Sequence, residues 1–119
     1  AANNTAILQI SPPEAIVLSD KSATHITTVP ANLTKYTGIG IGPGIGTHPD
    51  TAEALQHILH SASSPLVVDA DALNLLAQTR HLLSLLPKSS ILTPHPGELQ
   101  RIAGTTTSPE SLLQKAIQL

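Results

Sequence analysis

Apolar residues occur in short blocks, separated by proline, glycine and small polar residues. Ala6 to Ile10 and Ala15 to Leu18 are each predicted as a short strand. Pro12 and Pro13 stand between them, and neither fits inside a central strand. From residue 38 the pattern sharpens. Gly38 to Gly42 alternates glycine with isoleucine, which reads as a strand open to close approach by other backbone or a ligand. Gly42-Pro43-Gly44-Ile45-Gly46 then forces a turn, because glycine permits positive φ and proline fixes its own. Ala54, Leu55, Ile58, Leu59 and Ala62 recur at helical spacing and predict a helix over about 48–61. Thr47 is its expected N-cap, at capping-box spacing from Asp50.

Leu66-Val67-Val68 is a continuous apolar run, the pattern of a strand buried on both faces. Ala72 to Ala77 and His81 to Leu86 read as short helices, stopped by Pro87. Ile91-Leu92 starts another buried strand, closed by Thr93-Pro94. Glu98 to Ala103 is a short helix with Gly104 as its C′ residue. Ser108, Pro109 and Glu110 open a last helix running to about Leu119. The order strand, helix, strand, helix, strand, helix predicts an α/β fold with a parallel sheet and crossover helices. Ligands of such sheets bind outside the carboxyl ends of the strands.

Composition narrows the function. The 119 residues allow one small domain or a piece of a larger one. A 1% aromatic content leaves the core to Leu, Ile, Val and Ala. A formal charge of −2 provides no basic field for nucleic acid or an anionic membrane, so neither is an expected partner. No apolar run approaches the roughly 20 residues that span a bilayer. The absence of cysteine excludes disulfides, thiolate metal sites and cysteine nucleophiles, and fits a reducing compartment; a cytoplasmic location is expected.

Three motifs fall at predicted strand ends. Gly38 to Gly46 (GIGIGPGIG) can offer backbone N–H groups to phosphate oxygens. It matches neither the dinucleotide fingerprint nor a P-loop, and close packing at a tight turn explains it equally. Asp69-Ala70-Asp71 places two carboxylates where a strand meets a helix. They suit a metal or a ribose hydroxyl, or else one caps the helix and the other is solvated. Thr93-Pro94-His95-Pro96-Gly97-Glu98 is a stiff turn. In its functional reading His95 donates to a polar or anionic substrate and Glu98 orders a hydrated Mg²⁺. In the plain reading Glu98 only stabilises a helix N-terminus. His25, His48, His57, His60 and His81 have no such context, and His57 and His60 lie three apart with no third ligand nearby in sequence.

Together, Gly42-Pro43-Gly44-Ile45-Gly46, Val68-Asp69-Ala70-Asp71-Ala72-Leu73-Asn74 and Leu92-Thr93-Pro94-His95-Pro96-Gly97-Glu98 resemble the ADP- or ATP-dependent NAD(P)H-hydrate dehydratases. The resemblance covers roughly residues 36–104 and is looser before that. It implies the ribokinase-like fold, a doubly wound α/β/α sandwich. It also implies repair of hydrated NADH or NADPH: the nucleotide phosphorylates the C6 hydroxyl of the nicotinamide hydrate, and elimination of phosphate restores the dihydropyridine. Carried over by motif, Gly42, Gly44, Gly46, Asp69, Asp71, His95 and Glu98 form the substrate side of the site. Gly44 and His95 contact the hydrated cofactor, Glu98 orders Mg²⁺ and phosphate, and ADP or ATP is the co-substrate.

The resemblance also implies a Gly-Thr-Gly-Asp motif carrying the anion hole and catalytic Asp, and this sequence does not contain it. The family's first strand and its glycine-rich substrate loop are also missing. The expectation is therefore that residues 1–119 are the central part of a single ribokinase-like domain, with substrate contacts but no catalytic base. Exposed sheet edges predict a homo-oligomer or marginal stability for the chain alone. Two other readings stand beside the lyase: a ribokinase-like small-molecule kinase, and a non-catalytic nucleotide-binding module.

Overall fold

The computed structural model describes residue 10 and residues 14–106 and 108–117. The predicted strand at 6–10 therefore lies outside the described residues except for Ile10. Among them the elements run β1 (Ile39–Ile41), α1 (Pro49–Ser61), β2 (Leu66–Val68), α2 (Ala70–Gln78), a 3₁₀ segment (Arg80–Leu85), β3 (Ile91–Leu92), α3 (Pro96–Ala103) and α4 (Pro109–Ile117). The predicted strand Ala15 to Leu18 is irregular instead. Ile16 and Leu18 are exposed and, among the described residues, have no sheet neighbour to pair with.

The three strands are parallel in the order β1-β2-β3. Each crossover steps to the next strand in the same direction. Right-handed crossovers then keep the connecting helices on one face. The register sets Ile41, Val68 and Leu92 in one row and Gly40, Val67 and Ile91 in the next. The first row packs on the core, with Val68 fully buried among Leu55, Leu59, Leu73, Leu76, Leu82 and Ile102. Each fully buried leucine of this core contributes roughly 1.5–3 kcal/mol of transfer free energy. The second row is open: Val67 is 44% exposed and Ile91 57%. The sequence pattern had both strands buried on both faces. A continuous apolar run shows that neither face prefers water, and it does not show that both are covered.

Helix α1 starts one residue later than its expected cap. His48, not Thr47, is the N-cap, and its Nδ1 accepts from the Asp50 amide at 3.2 Å. The same device opens α3, where His95 Nδ1 accepts from the Gly97 amide at 3.0 Å. In both, proline follows the histidine at the first helical position, where the missing N–H costs nothing.

Candidate functional site

The parallel register brings three connections to the carboxyl edge of the sheet: β1 to α1, β2 to α2 and β3 to α3. An open hollow of about 620 Å³ lies there, lined by Gly40, Ile41, Pro43, Val67, Asp69 and Thr93. It is the place where all three predicted motifs contribute lining. A second hollow, of about 470 Å³, runs along β1 and is lined by apolar groups such as Ile26, Leu33, Ile45 and Ile58. Of these two, only the first has an acidic residue in its lining.

The first two connections are locked together. Gly42 is buried with φ +137°, and a Cβ there would overlap the carbonyl of Asp69 and press on the Ala72 side chain. Three residues on, Ile45 N donates back to Gly42 O at 3.3 Å and closes the turn. Gly46 N then donates to Asp71 Oδ2 at 2.9 Å, across 25 residues. The strand edges continue the tie: Asp69 N donates to Ile41 O at 3.0 Å, and Thr93 N to Val68 O at 3.1 Å.

The plain reading of the acidic pair, one capping carboxylate and one solvated, is not what the structure shows. Asp69 occupies the N-cap position of α2 but makes no side-chain capping bond. Asp69 is part of the hollow's lining. Asp71 is half-buried and spends an oxygen on the glycine loop. Between them Ala70 sits at φ +47°, the left-handed region that an L side chain disfavours by roughly 1–2 kcal/mol. Gly44 (φ +69°) and Gly46 (φ +74°) use the same region at no such cost, with open space where a Cβ would be.

The third connection closes on itself. Glu98 is buried, and its Oε2 accepts from the His95 amide at 3.0 Å while Oε1 lies 3.3 Å from His95 Nε2. Because His95 Nδ1 accepts from Gly97, a neutral ring carries its proton on Nε2, beside the Glu98 carboxylate. The imidazole is 61% exposed, so it stays reachable from outside. Thr93 reaches the hollow, whereas of the predicted site residues only Asp69 is in its lining: Gly42 lines the second hollow, and Gly44, Gly46, Asp71, His95 and Glu98 line neither. Pro43 and Thr93 stand inside the quoted motifs but were not among the candidate site residues.

The comparisons with known proteins decide the family. The sequence profile described as NAD(P)H-hydrate dehydratase matches residues 1–118. The chain belongs to the NAD(P)H-hydrate dehydratase family. Among similar curated proteins, the bifunctional NAD(P)H-hydrate repair enzyme Nnr of Moorella thermoacetica is 35% identical over 108 residues, covering 91% of this chain and 20% of that protein. The ADP-dependent (S)-NAD(P)H-hydrate dehydratase of Neisseria meningitidis serogroup B is 44% identical over 72 residues, 57% of this chain and 24% of that enzyme. The Nnr enzyme of Coxiella burnetii is 43% identical over 72 residues, 60% of this chain and 14% of that protein. The chain thus spans a quarter or less of the length of these relatives. No solved structure gives a significant match. Among the described residues no helix is long and apolar enough to cross a membrane.

Proposed function

We propose that this NAD(P)H-hydrate dehydratase family chain supplies the substrate-facing turns of an ADP- or ATP-dependent dehydratase acting on hydrated NADH or NADPH. The relatives' names carry the substrate class, and one observation carries the location. The β1–α1 and β2–α2 turns are locked by the Gly42–Asp69 approach and the Gly46–Asp71 bond, beside a hollow that Asp69 and Thr93 share. Such a preset rim holds a ligand without first ordering loops, which lowers the entropic cost of binding. In the reaction, the nucleotide's terminal phosphoryl group passes to the C6 hydroxyl of the nicotinamide hydrate. The ring then expels phosphate in place of hydroxide, a poorer leaving group, and loses a proton to become the dihydropyridine.

In this reading the exposed Gly44 and Gly46 let the cofactor approach backbone closely, and Asp69 accepts from its hydroxyl groups. His95, its Nδ1 held by the Gly97 amide, presents the exposed Nε2–H side of its ring to the substrate. Mg²⁺ is expected alongside the nucleotide, and it asks for free oxygen ligands. Glu98 already spends Oε2 on the His95 amide, with Oε1 3.3 Å from His95 Nε2. The proposal gives it the holding of the His95 turn instead. The remaining elements of the reading are a cytoplasmic location and a doubly wound ribokinase-like sandwich. Its second helical layer would cover the Gly40, Val67 and Ile91 face. In the 119-residue chain alone that face supports self-association.

The decisive experiment is calorimetric titration of the chain with hydrated NADH, followed by adding ADP or ATP and reading absorbance recovery. The expected result is binding that Asp69→Ala weakens at least about tenfold, which is one lost charged hydrogen bond, with no turnover. Binding that ignores Asp69→Ala and His95→Ala would remove the site from this edge of the sheet. Brisk turnover would place the catalytic base among these residues.

A further inference from the structure

The β1–α1 connection leads from the glycine loop to a cluster that the dehydratase reading does not use. His25, His48 and Asp50 each offer a ligand atom, and these atoms lie within 4.8 Å of one another. His25 Nε2 is 3.1 Å from Asp50 Oδ2, and His48 Nδ1 is 3.7 Å from Asp50 Oδ1. The two imidazoles stack with centroids 3.9 Å apart and planes at 17°. The ligand atoms come from two segments, the 20–28 loop and the first turn of α1.

We propose that His25, His48 and Asp50 bind one borderline divalent transition metal ion of the Zn²⁺ type, which clips the 20–28 loop to the start of α1. Two imidazole nitrogens and a carboxylate oxygen are the donor set such ions favour over Mg²⁺ or Ca²⁺. Bonds of about 2.0–2.1 Å place neighbouring ligand atoms of a tetrahedral centre about 3.4 Å apart. The His25–Asp50 pair already has that spacing; to join it, the His48 ring must turn out of its stack on His25 and release its Nδ1 cap bond to the Asp50 amide. At half exposure, His48 and Asp50 leave room for water at the remaining position.

The support behind His25 argues for a ligand rather than an incidental ion pair. Its Nδ1 lies 3.2 Å from Ser22 Oγ and 3.1 Å from Thr24 Oγ1. A metallated imidazole must carry its proton on the other nitrogen and donate it, and here the Thr24 hydroxyl can accept it, while Ser22 Oγ already accepts from the Thr24 and His25 amides and holds the turn. The loop beneath is pinned by Asp20, which accepts from the amides of Ser22, Thr27 and Thr28 and from both threonine hydroxyls. Thr51 Oγ1 donates to Ile26 O at 3.3 Å and joins the same two segments. A metal ion here would steady the α1 entry two residues beyond Gly46, independently of whether the hollow takes a pyridine nucleotide.

The test is isothermal titration of the full chain with ZnCl₂ in chelator-free, phosphate-free buffer. The expected result is one equivalent bound, lost in His25→Ala and weakened at least about tenfold in Asp50→Asn. Ser22→Ala with Thr24→Ala should weaken it about 10- to 100-fold, the usual effect of removing the partners of a ligating histidine. His57→Ala with His60→Ala should leave it unchanged. Far-UV circular dichroism of each variant, matching the parent, separates lost ligands from lost fold. In the folded parent, shifts of the His25 and His48 ring protons at one equivalent of Zn²⁺ give a second readout. Failure of the folded parent to bind, binding that survives His25→Ala, or binding that disappears with His57 and His60 would each overturn the proposal.

Discussion

The glycine–aspartate junction and the His95–Glu98 turn stand side by side at the same edge of the sheet, and they are built on opposite plans. The first is held by partners 25 or more residues apart: Gly42 against Asp69, and Gly46 bonded to Asp71. The second satisfies itself within four residues, through His95 to Gly97 and Glu98. One turn therefore exists only in the folded sheet, whereas the other carries much of its geometry in its own sequence. The difference teaches where a substitution will spread and where it will stay local.

The sharpest way to break this contrast is Gly42→Ala. It adds a methyl group into the Asp69 carbonyl at a φ that alanine resists, and should cost about 2–4 kcal/mol in urea unfolding. It should also disturb amide signals on both connections; a neutral result would mean the two turns are not in contact. Glu98→Ala comes next. It removes the acceptor of the His95 amide and the carboxylate beside His95 Nε2, and should cost about 1–2 kcal/mol. Its amide-exchange changes should stay within α3, and a spread to Gly42 would erase the distinction. Asp71→Ala deletes one half-exposed bond to Gly46 and should cost about 0.5–1 kcal/mol by the same unfolding assay.

The smallest effect concerns pH. The Thr27 hydroxyl, then the Ser22 amide and the other donors around Asp20, hold its carboxyl far below the usual carboxylate range. With its folded pKa depressed, Asp20 contributes stability above its unfolded pKa and loses it as pH falls toward the folded value. Acid titration should therefore loosen the 20–28 loop below about pH 4, while Asp20→Asn flattens that dependence. An unchanged acid profile in Asp20→Asn would show that the loop is held by something else.

The legibility of this chain follows the same division between local and distant. The alternation of elements from residue 38 onward was readable, because helical spacing and strand-ending prolines are encoded within each segment. Helix α3 and Gly104 at its end were readable for the same reason. The caps of α1 and α3 were harder. Histidine is not among the preferred N-cap residues, so Thr47 drew attention away from His48. Yet the His-Pro pair occurs at both helix starts with the same Nδ1 bond to the second amide. The exposure of Val67 was out of reach, since a strand cannot report which neighbours its second face receives. The bond from Gly46 to Asp71 was also out of reach, because it depends on a register set by all three strands. The site motifs could be found one at a time; their sharing of a hollow is a tertiary fact.

Ala70 gives the clearest consequence of that dependence. Its left-handed backbone is uphill for an alanine on its own, yet it sets the direction in which the chain leaves β2. A peptide copied from residues 66–74 would relax into an ordinary extended or helical shape and let its two acidic groups drift. The orientation of that pair is thus imposed by the surrounding architecture, and grafting the six letters DADALN onto another scaffold would not transplant it.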